Sequence, residues 1–191
     1  MIVSISGKPG SGKSTVAKRL AKEFNLKRYY IGGIRRRMAK ERGLTLEEFN
    51  KLGEKEDFTD KEVDQYQKKL GETENNFVIE GRTSCLFIPH SIKIFLEVSP
   101  QEGAKRIWSD LQKKGDERNE GRNLNSLEDV LHSSRARMKS DRARYLKWYQ
   151  QDPFDQSHYD CIIDTTGLSM EEEYQAVKAC VLDQQQKNGQ A

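Results

Sequence analysis

The chain has 191 residues, 33 Lys and Arg against 30 Asp and Glu, and 35% hydrophobic residues. A formal charge of +3 argues against a dedicated nucleic-acid coat and against an acidic disordered tail, and the longest apolar runs, such as Cys85-Leu86-Phe87-Ile88, fall far short of the roughly 18 residues that cross a bilayer. This length suits one domain with small insertions and a core that needs no disulfides.

Met1–Ser6 (MIVSIS) reads as a short apolar strand, followed at once by GKPGSGKST. Val16, Leu20 and Phe24 then fall at helical spacing, which predicts a helix to about Asn25. Tyr29–Ile31 is a short candidate strand, and residues 34–52 and 60–70 read as helical. Within them, Thr45 and Glu48 form a capping-box signature. FVIE (77–80) and IKIFLEV (92–98) read as buried strands. Ser99-Pro100 opens a helix to about Lys114, and the polar stretch GDERNEGRN (115–123) follows. An arginine-rich helix is expected from Ser126 to Tyr149. DCIID (160–164) is the last strand, and Ser169–Glu172 caps a last helix whose tail is expected to fray from Gln184. No leader peptide is expected, because no apolar run flanked by basic residues precedes the motif that begins at Gly7. Cys85, Cys161 and Cys180 are an odd number at no metal-ligand spacing, and three reduced thiols are expected.

Strands alternating with helices predict a three-layer α/β fold with a five-stranded parallel sheet. Two segments do not belong to the alternation. Residues 41–76 are helical and acidic, with six Lys and Arg against eleven Asp and Glu. Residues 115–125 are loop-like and carry Arg118 and Arg122. Both are expected as insertions over the active edge.

Gly7-Lys8-Pro9-Gly10-Ser11-Gly12-Lys13-Ser14 fits G-x-x-x-x-G-K-[ST] between a predicted strand and a predicted helix. Glycines let successive N–H groups turn inward around a phosphate chain, and the helix that follows aims its positive end at the same anion. Lys13 adds a cation toward the β and γ phosphates, and Ser14 can ligate Mg²⁺. A guanine-reading N-K-x-D is missing: Asn50-Lys51 is followed by Leu-Gly. A chain of this length leaves no room for a transport or motor machine. A small-molecule kinase needs a second anion site opposite the γ phosphate. Arg35-Arg36-Arg37 after the second strand and Glu80-Gly81-Arg82 after the third provide it, because strand C-termini line the crevice of an open parallel sheet. The arginine fork binds two phosphate oxygens at once. Arg36 and Arg82 are the expected phosphate ligands, and Arg37 is expected to be solvated.

With these residues in place, the chain resembles the nucleoside monophosphate kinases, and among them the cytidylate kinases. The phosphate loop, the turn Gly32-Gly33-Ile34-Arg35-Arg36 and Glu80-Gly81-Arg82 recur in the family's order. EGRTSCLFIPHSIKIFLEVSPQEGAKRIW (80–108) resembles its core. GLTLEEFNKL with DKEVDQYQ resembles the helical insertion of archaeal-type members, and Arg137-x-x-x-Asp141-x-x-Arg144 the arginine–aspartate helix of bacterial-type ones. IIDTTGLSMEEE resembles the closing strand and helix, so the likeness spans nearly the whole chain. Ile31, Gly33 and Thr83 depart from the family's commoner residues.

The resemblance implies a single domain with core 1–34, 77–114 and 126–183, a monophosphate-binding insertion at about 35–76 and a lid at about 115–125. It implies transfer of the γ-phosphoryl of ATP to CMP or dCMP. Gly7 through Ser14 with Thr15 would hold ATP, and Arg106 would lie near its base or phosphates. Arg36 and Arg82 would hold the acceptor's phosphate. Arg118 or Arg122 would close on the transferring group, with Arg137 and Arg144 approaching it from the long helix. Glu80 could order a Mg²⁺-bound water, making Mg²⁺ the expected cofactor, with Ser14 as ligand. On that helix Arg137 and Arg144 flank Asp141 on one face. A carboxylate so placed could accept from the cytosine amino group and repel the uracil carbonyl; otherwise Asp64 and Gln67 of the acidic insertion would read the base. The acceptor is itself anionic, so no general base is needed, and His90, His132 and His158 have no evident role. A cytoplasmic monomer without membrane or nucleic-acid partners is expected. A kinase for UMP or AMP, or a regulatory nucleotide-binding module that uses the basic 118–144 stretch on RNA, are the alternatives.

Overall fold

Ile2 through Gly7 set the centre of the molecule. The computed structural model describes residues 1–114 and 124–189. Its elements run β1 (Ile2–Gly7), α1 (Lys13–Glu23), β2 (Lys27–Tyr30), α2 (Ile31–Glu41), α3 (Leu46–Gly53), α4 (Phe58–Thr73), β3 (Phe77–Glu80), α5 (Ser84–Phe87), β4 (Ile92–Glu97), α6 (Pro100–Lys114), α7 (Leu127–Tyr149), β5 (Cys161–Asp164) and α8 (Met170–Gly189). Strand β1 lies between β3 and β4, giving the order β2-β3-β1-β4-β5 with every pairing parallel.

A parallel sheet must be covered on both faces, and alternation along the strands shows how. Val3 and Ile5 pack with Val16 and Leu20 of α1 and Tyr174 and Val177 of α8. Ile2, Phe77 and Ile79 face the other way, onto Met38 of α2, Phe49 of α3 and Val63 and Leu70 of α4. Ser4 and Ser6 are fully buried, and both are satisfied. Ser91 Oγ donates to Ser4 Oγ at 2.8 Å, and Ser6 Oγ donates to the Gly81 carbonyl at 2.7 Å. The result is the expected three-layer α/β fold with five parallel strands.

Several local expectations are corrected. The helix expected over 34–52 is two helices, broken at Gly43, whose φ of +68° suits a residue without a Cβ. Thr45 then caps α3: its Oγ1 accepts from Glu48 N at 3.2 Å, and Glu48 Oε2 accepts from Thr45 N at 2.7 Å. Ile31 opens α2 instead of ending the second strand. The short α5 had no sequence signal. Helix α8 continues to Gly189, so its tail does not fray at Gln184. Cys161 and Cys180 form a disulfide between β5 and α8, against the expectation of three reduced thiols. The pairing comes from α8 packing back along β5, which no spacing announces. Cys85 stays a free thiol, buried. Among the described residues no helix is long and apolar enough to cross a membrane.

Candidate active site

The C-terminal ends of β1, β2 and β3 open onto a cleft with about 110 Å³ of space for a ligand. Its upper wall is the loop between β1 and α1. Gly10 has φ +76°, and a Cβ there would lie 2.2 Å from the Gly103 carbonyl oxygen, so only glycine lets the loop close against α6. Helix α1 starts with no side-chain cap and no acidic residue in its first turn, unlike α3 and α7, whose caps are filled by Thr45 and Ser126. Its positive end is left to an anion. Lys13 curls over the loop, Nζ donating to the carbonyls of Gly7 at 2.8 Å and Lys8 at 2.6 Å and to Ser11 Oγ at 3.1 Å. Beside it Ser14 Oγ donates to Glu80 of β3, whose other oxygen pairs with Arg28 of β2.

The opposite wall is cationic. Arg35, Arg36, Arg82, Arg137 and Arg144 all line the cleft. Arg36 donates to the Tyr30 hydroxyl. Three of these arginines and two aspartates form an alternating chain of charge: Arg82 pairs with Asp141, Asp141 with Arg144 (2.7 Å), Arg144 with Asp60 (2.9 Å), and Asp60 with Arg35. Arg144 and Asp60 are 2% and 1% exposed. The chain ties the loop after β3 to α7, α4 and α2. Members of such a buried network are costly to remove singly, because each deletion strands a partner.

The structure therefore brings together Lys13, Ser14, Glu80, Arg36, Arg82, Arg137, Asp141 and Arg144. Of the phosphate loop, Pro9, Gly10, Lys13 and Ser14 reach the lining, while Gly7, Lys8, Ser11, Gly12 and Thr15 do not, and two expected site residues beyond the loop also stand apart from it. Arg106 donates to the Thr165 carbonyl at 2.6 Å and lies 3.7 Å from Glu173. Asp64 lies behind the wall, accepting from the Tyr145 hydroxyl at 3.1 Å and the Tyr149 hydroxyl at 2.8 Å. Arg118 and Arg122 lie outside the described residues. Sequence reasoning passed over Arg35, Asp60, Thr83 and Tyr145. A signal did exist for part of this: Asp60, Asp64 and Gln67 repeat at helical spacing, and all three are buried on α4.

Burial raises the Asp64 carboxyl from an ordinary 3.8 to about 7, with Asp60 adding to the rise and the hydroxyls of Tyr149 and Tyr145 and the charge of Arg35 opposing it. Between these two values the folded chain binds a proton that the unfolded chain lacks, so this group's contribution to stability falls as pH rises and is least favourable above about 7. Asp64→Asn removes that dependence. The melting-temperature difference between variant and wild type is expected to shift in the variant's favour from about pH 5 to about pH 8; a flat difference would contradict the assignment.

A loop built for one phosphate chain, facing arginines that can grip another, is what transfer between two phosphates requires. Joined to this sheet order, it makes the protein a P-loop kinase. A family model described as an AAA domain matches residues 3–130. A solved shikimate kinase from Bacteroides thetaiotaomicron superposes with a TM-score of 0.62 at 15% identity, covering 95% of this chain and 98% of its own, which shows a shared fold. The cytidylate kinase of Methanopyrus kandleri is 34% identical over 95% of this chain and 93% of its own length, and that of Pyrococcus abyssi 37% identical over 95% and 93%. The chain belongs to the cytidylate kinase family.

Proposed function

We propose that the protein transfers the γ-phosphoryl of ATP to CMP or dCMP, giving CDP or dCDP and ADP. The observation that carries this reading is the convergence of Arg36, Arg82 and Arg137 on the cleft that Lys13 enters from the other side, in a chain whose relatives carry that name. ATP would lie along residues 7–15 with its base toward Arg106. The acceptor's phosphate would lie between Arg36 and Arg82, whose forks suit paired oxygens. Both oxygens of Asp141 are engaged, by Arg82 and Arg144. Its contribution is to aim Arg82, and base reading falls to the wall that Asp64 supports.

Ser14 and Glu80 fit a Mg²⁺ site. Two hard oxygen donors meet at the phosphate loop, and no group of three or more His, Cys, Asp or Glu that could cage a metal occurs among the described residues. That suits an ion shared with substrate phosphates. Ser14 would bind it directly and Glu80 through water, and when bound it neutralises charge on the bridging phosphate oxygens. The chain's own work is alignment and charge. Arg36 and Arg82 hold the attacking oxygen in line, Lys13 and Arg137 meet charge that develops on the transferring group, and the cleft wall excludes water. Arg118 or Arg122 would add to that charge from the lid. No general base is required, since the attacking oxygen is already anionic. The protein would act as a monomer in the cytoplasm, where both nucleotides are found.

The test is ADP formation from ATP with CMP, dCMP, UMP, AMP, GMP or no acceptor. CMP and dCMP are expected to give the highest kcat/KM, with negligible acceptor-free turnover. A preference for another nucleotide, or turnover without any, would overturn the reading.

A further inference from the structure

Tyr30 ends β2 and lines the cleft together with Arg36 and Arg82. We infer that Tyr30 is a third ligand of the acceptor's phosphate: its hydroxyl accepts from Arg36 and donates its own proton to a phosphate oxygen. The inference deepens the proposed function and rests on the acceptor's phosphate lying beside Arg36.

The ring reaches this place because two residues beside it have no side chains. Gly32 and Gly33 lie in the first turn of α2. A Cβ on Gly33 would lie 2.6 Å from Tyr30 Cδ1 and 3.0 Å from Cε1, and one on Gly32 would lie 3.0 Å from both Tyr30 Cε2 and Arg36 Nη1. A side chain at position 33 would therefore turn the ring away. The departure of Gly33 from the family's commoner residues thus has a structural reason: it makes room for the tyrosine. The guanidinium carbons of Arg28 and Arg36 lie 5.3 and 5.7 Å from the ring centre, within cation–π range, and Arg28 is itself tied to Glu80 of β3. A ring held in this way has little freedom left to lose when a ligand arrives.

The direction of the hydrogen bonds follows from the donors present. A guanidinium only donates, so in the contact between Arg36 and Tyr30 the tyrosine oxygen accepts. The tyrosine's own proton remains. The carboxylates that line the cleft are Glu80 and Asp141. Glu80 is engaged by Ser14 and Arg28, and Asp141 by Arg82 and Arg144. Both lining carboxylates are taken up, and the tyrosine proton is left to a ligand. An ionised phosphate oxygen only accepts, and it is what this cleft attracts, since Lys13 and five arginines line it against two carboxylates. The bond from Arg36 polarises the tyrosine O–H, which strengthens the one it gives to the phosphate.

The experiment compares wild type with Tyr30→Phe, Arg36→Ala and the Tyr30→Phe/Arg36→Ala pair, reading the KM for CMP and for ATP. Phenylalanine keeps the ring and its packing and removes only the hydroxyl. Tyr30→Phe is expected to raise the KM for CMP about 10-fold or more and to leave the KM for ATP within ~2-fold of wild type. Made on top of Arg36→Ala, the same change is expected to raise the KM for CMP by a further ~3-fold or more, because the hydroxyl touches the phosphate itself. A tyrosine that only supported Arg36 would have no effect once Arg36 is gone. An unchanged KM for CMP in Tyr30→Phe, an equal loss for ATP, or no further effect in the pair would each overturn the inference while the weakened acceptor binding of Arg36→Ala stood. If Arg36→Ala leaves the KM for CMP unchanged, the placing of the acceptor's phosphate fails instead, and the role of Tyr30 with it.

Discussion

Replacing Lys13 with alanine is expected to lower kcat by at least two orders of magnitude and to leave the melting temperature nearly unchanged. The ammonium donates to the phosphate loop at Gly7, Lys8 and Ser11, and the loop's path is set independently by glycine geometry and by the Lys8 N–H, which donates to the Leu96 carbonyl at 3.1 Å. A cation lost from a site where charge develops in the transition state costs about 3 kcal/mol or more. No core contact is lost to offset or mimic that effect. Steady-state kinetics with circular dichroism melts test both halves, and near-normal turnover would remove the basis for placing ATP on this loop.

Arg82→Ala is expected to raise the KM for the acceptor by about 100-fold or more while changing the KM for ATP little, and also to destabilise the fold. The two effects have different origins. The forked contact expected between the guanidinium and the acceptor's phosphate is charge-assisted, and Arg36 alone would not replace it. Its pairing with Asp141, which is 2% exposed, shares that buried carboxylate with Arg144, so its loss costs part of the about 3–5 kcal/mol that a fully unpaired buried charge would cost. Arg82→Lys should recover much of the stability and little of the acceptor binding, because a point charge cannot make the forked contact. Arg36→Ala is the companion test. Arg36 donates to the Tyr30 hydroxyl from the other side of the expected phosphate position, so acceptor binding should fall in this variant too while the KM for ATP changes little. Equal losses for ATP and acceptor in either variant would place these arginines on the wrong side of the cleft.

Much of this was legible in the sequence, and the part that was not shares one character. The phosphate loop could be read because its chemistry is local: nine consecutive residues carry the glycines, the lysine and the hydroxyl, and the flanking strand and helix have clear periods. Arg36 and Arg82 could be placed because strand ends in a parallel sheet converge. The break at Gly43 was missed although the capping box at Thr45 and Glu48 announced a new helix; a continuous polar-apolar period across 34–52 outweighed a single glycine. The Cys161–Cys180 pair and the five-member ion chain were invisible for another reason. Each joins elements far apart in sequence, and Asp60 acquires its meaning only when α4 lies against α7. Asp141 was read from its own helix as a base-reader flanked by Arg137 and Arg144, and its third arginine could not be seen from that helix. The structure gives both of its oxygens to arginines, one from a loop nearly sixty positions earlier.

The place of β1 in the sheet has a kinetic consequence. Ile2 pairs with Phe77, and Val3 with Val78 on one side and Ile92 on the other. The central strand therefore finds no partner until chain far downstream is in place, and the entropy of closing those loops is met before any contact repays it. The phosphate loop hangs from the end of β1, so it cannot take its bound shape while β1 is unpaired. A half-folded chain would carry the binding motif intact in sequence and be unable to hold a nucleotide. Recovery of nucleotide affinity during refolding should then follow the slowest phase of sheet assembly, behind the rise of helical signal from α4 and α7.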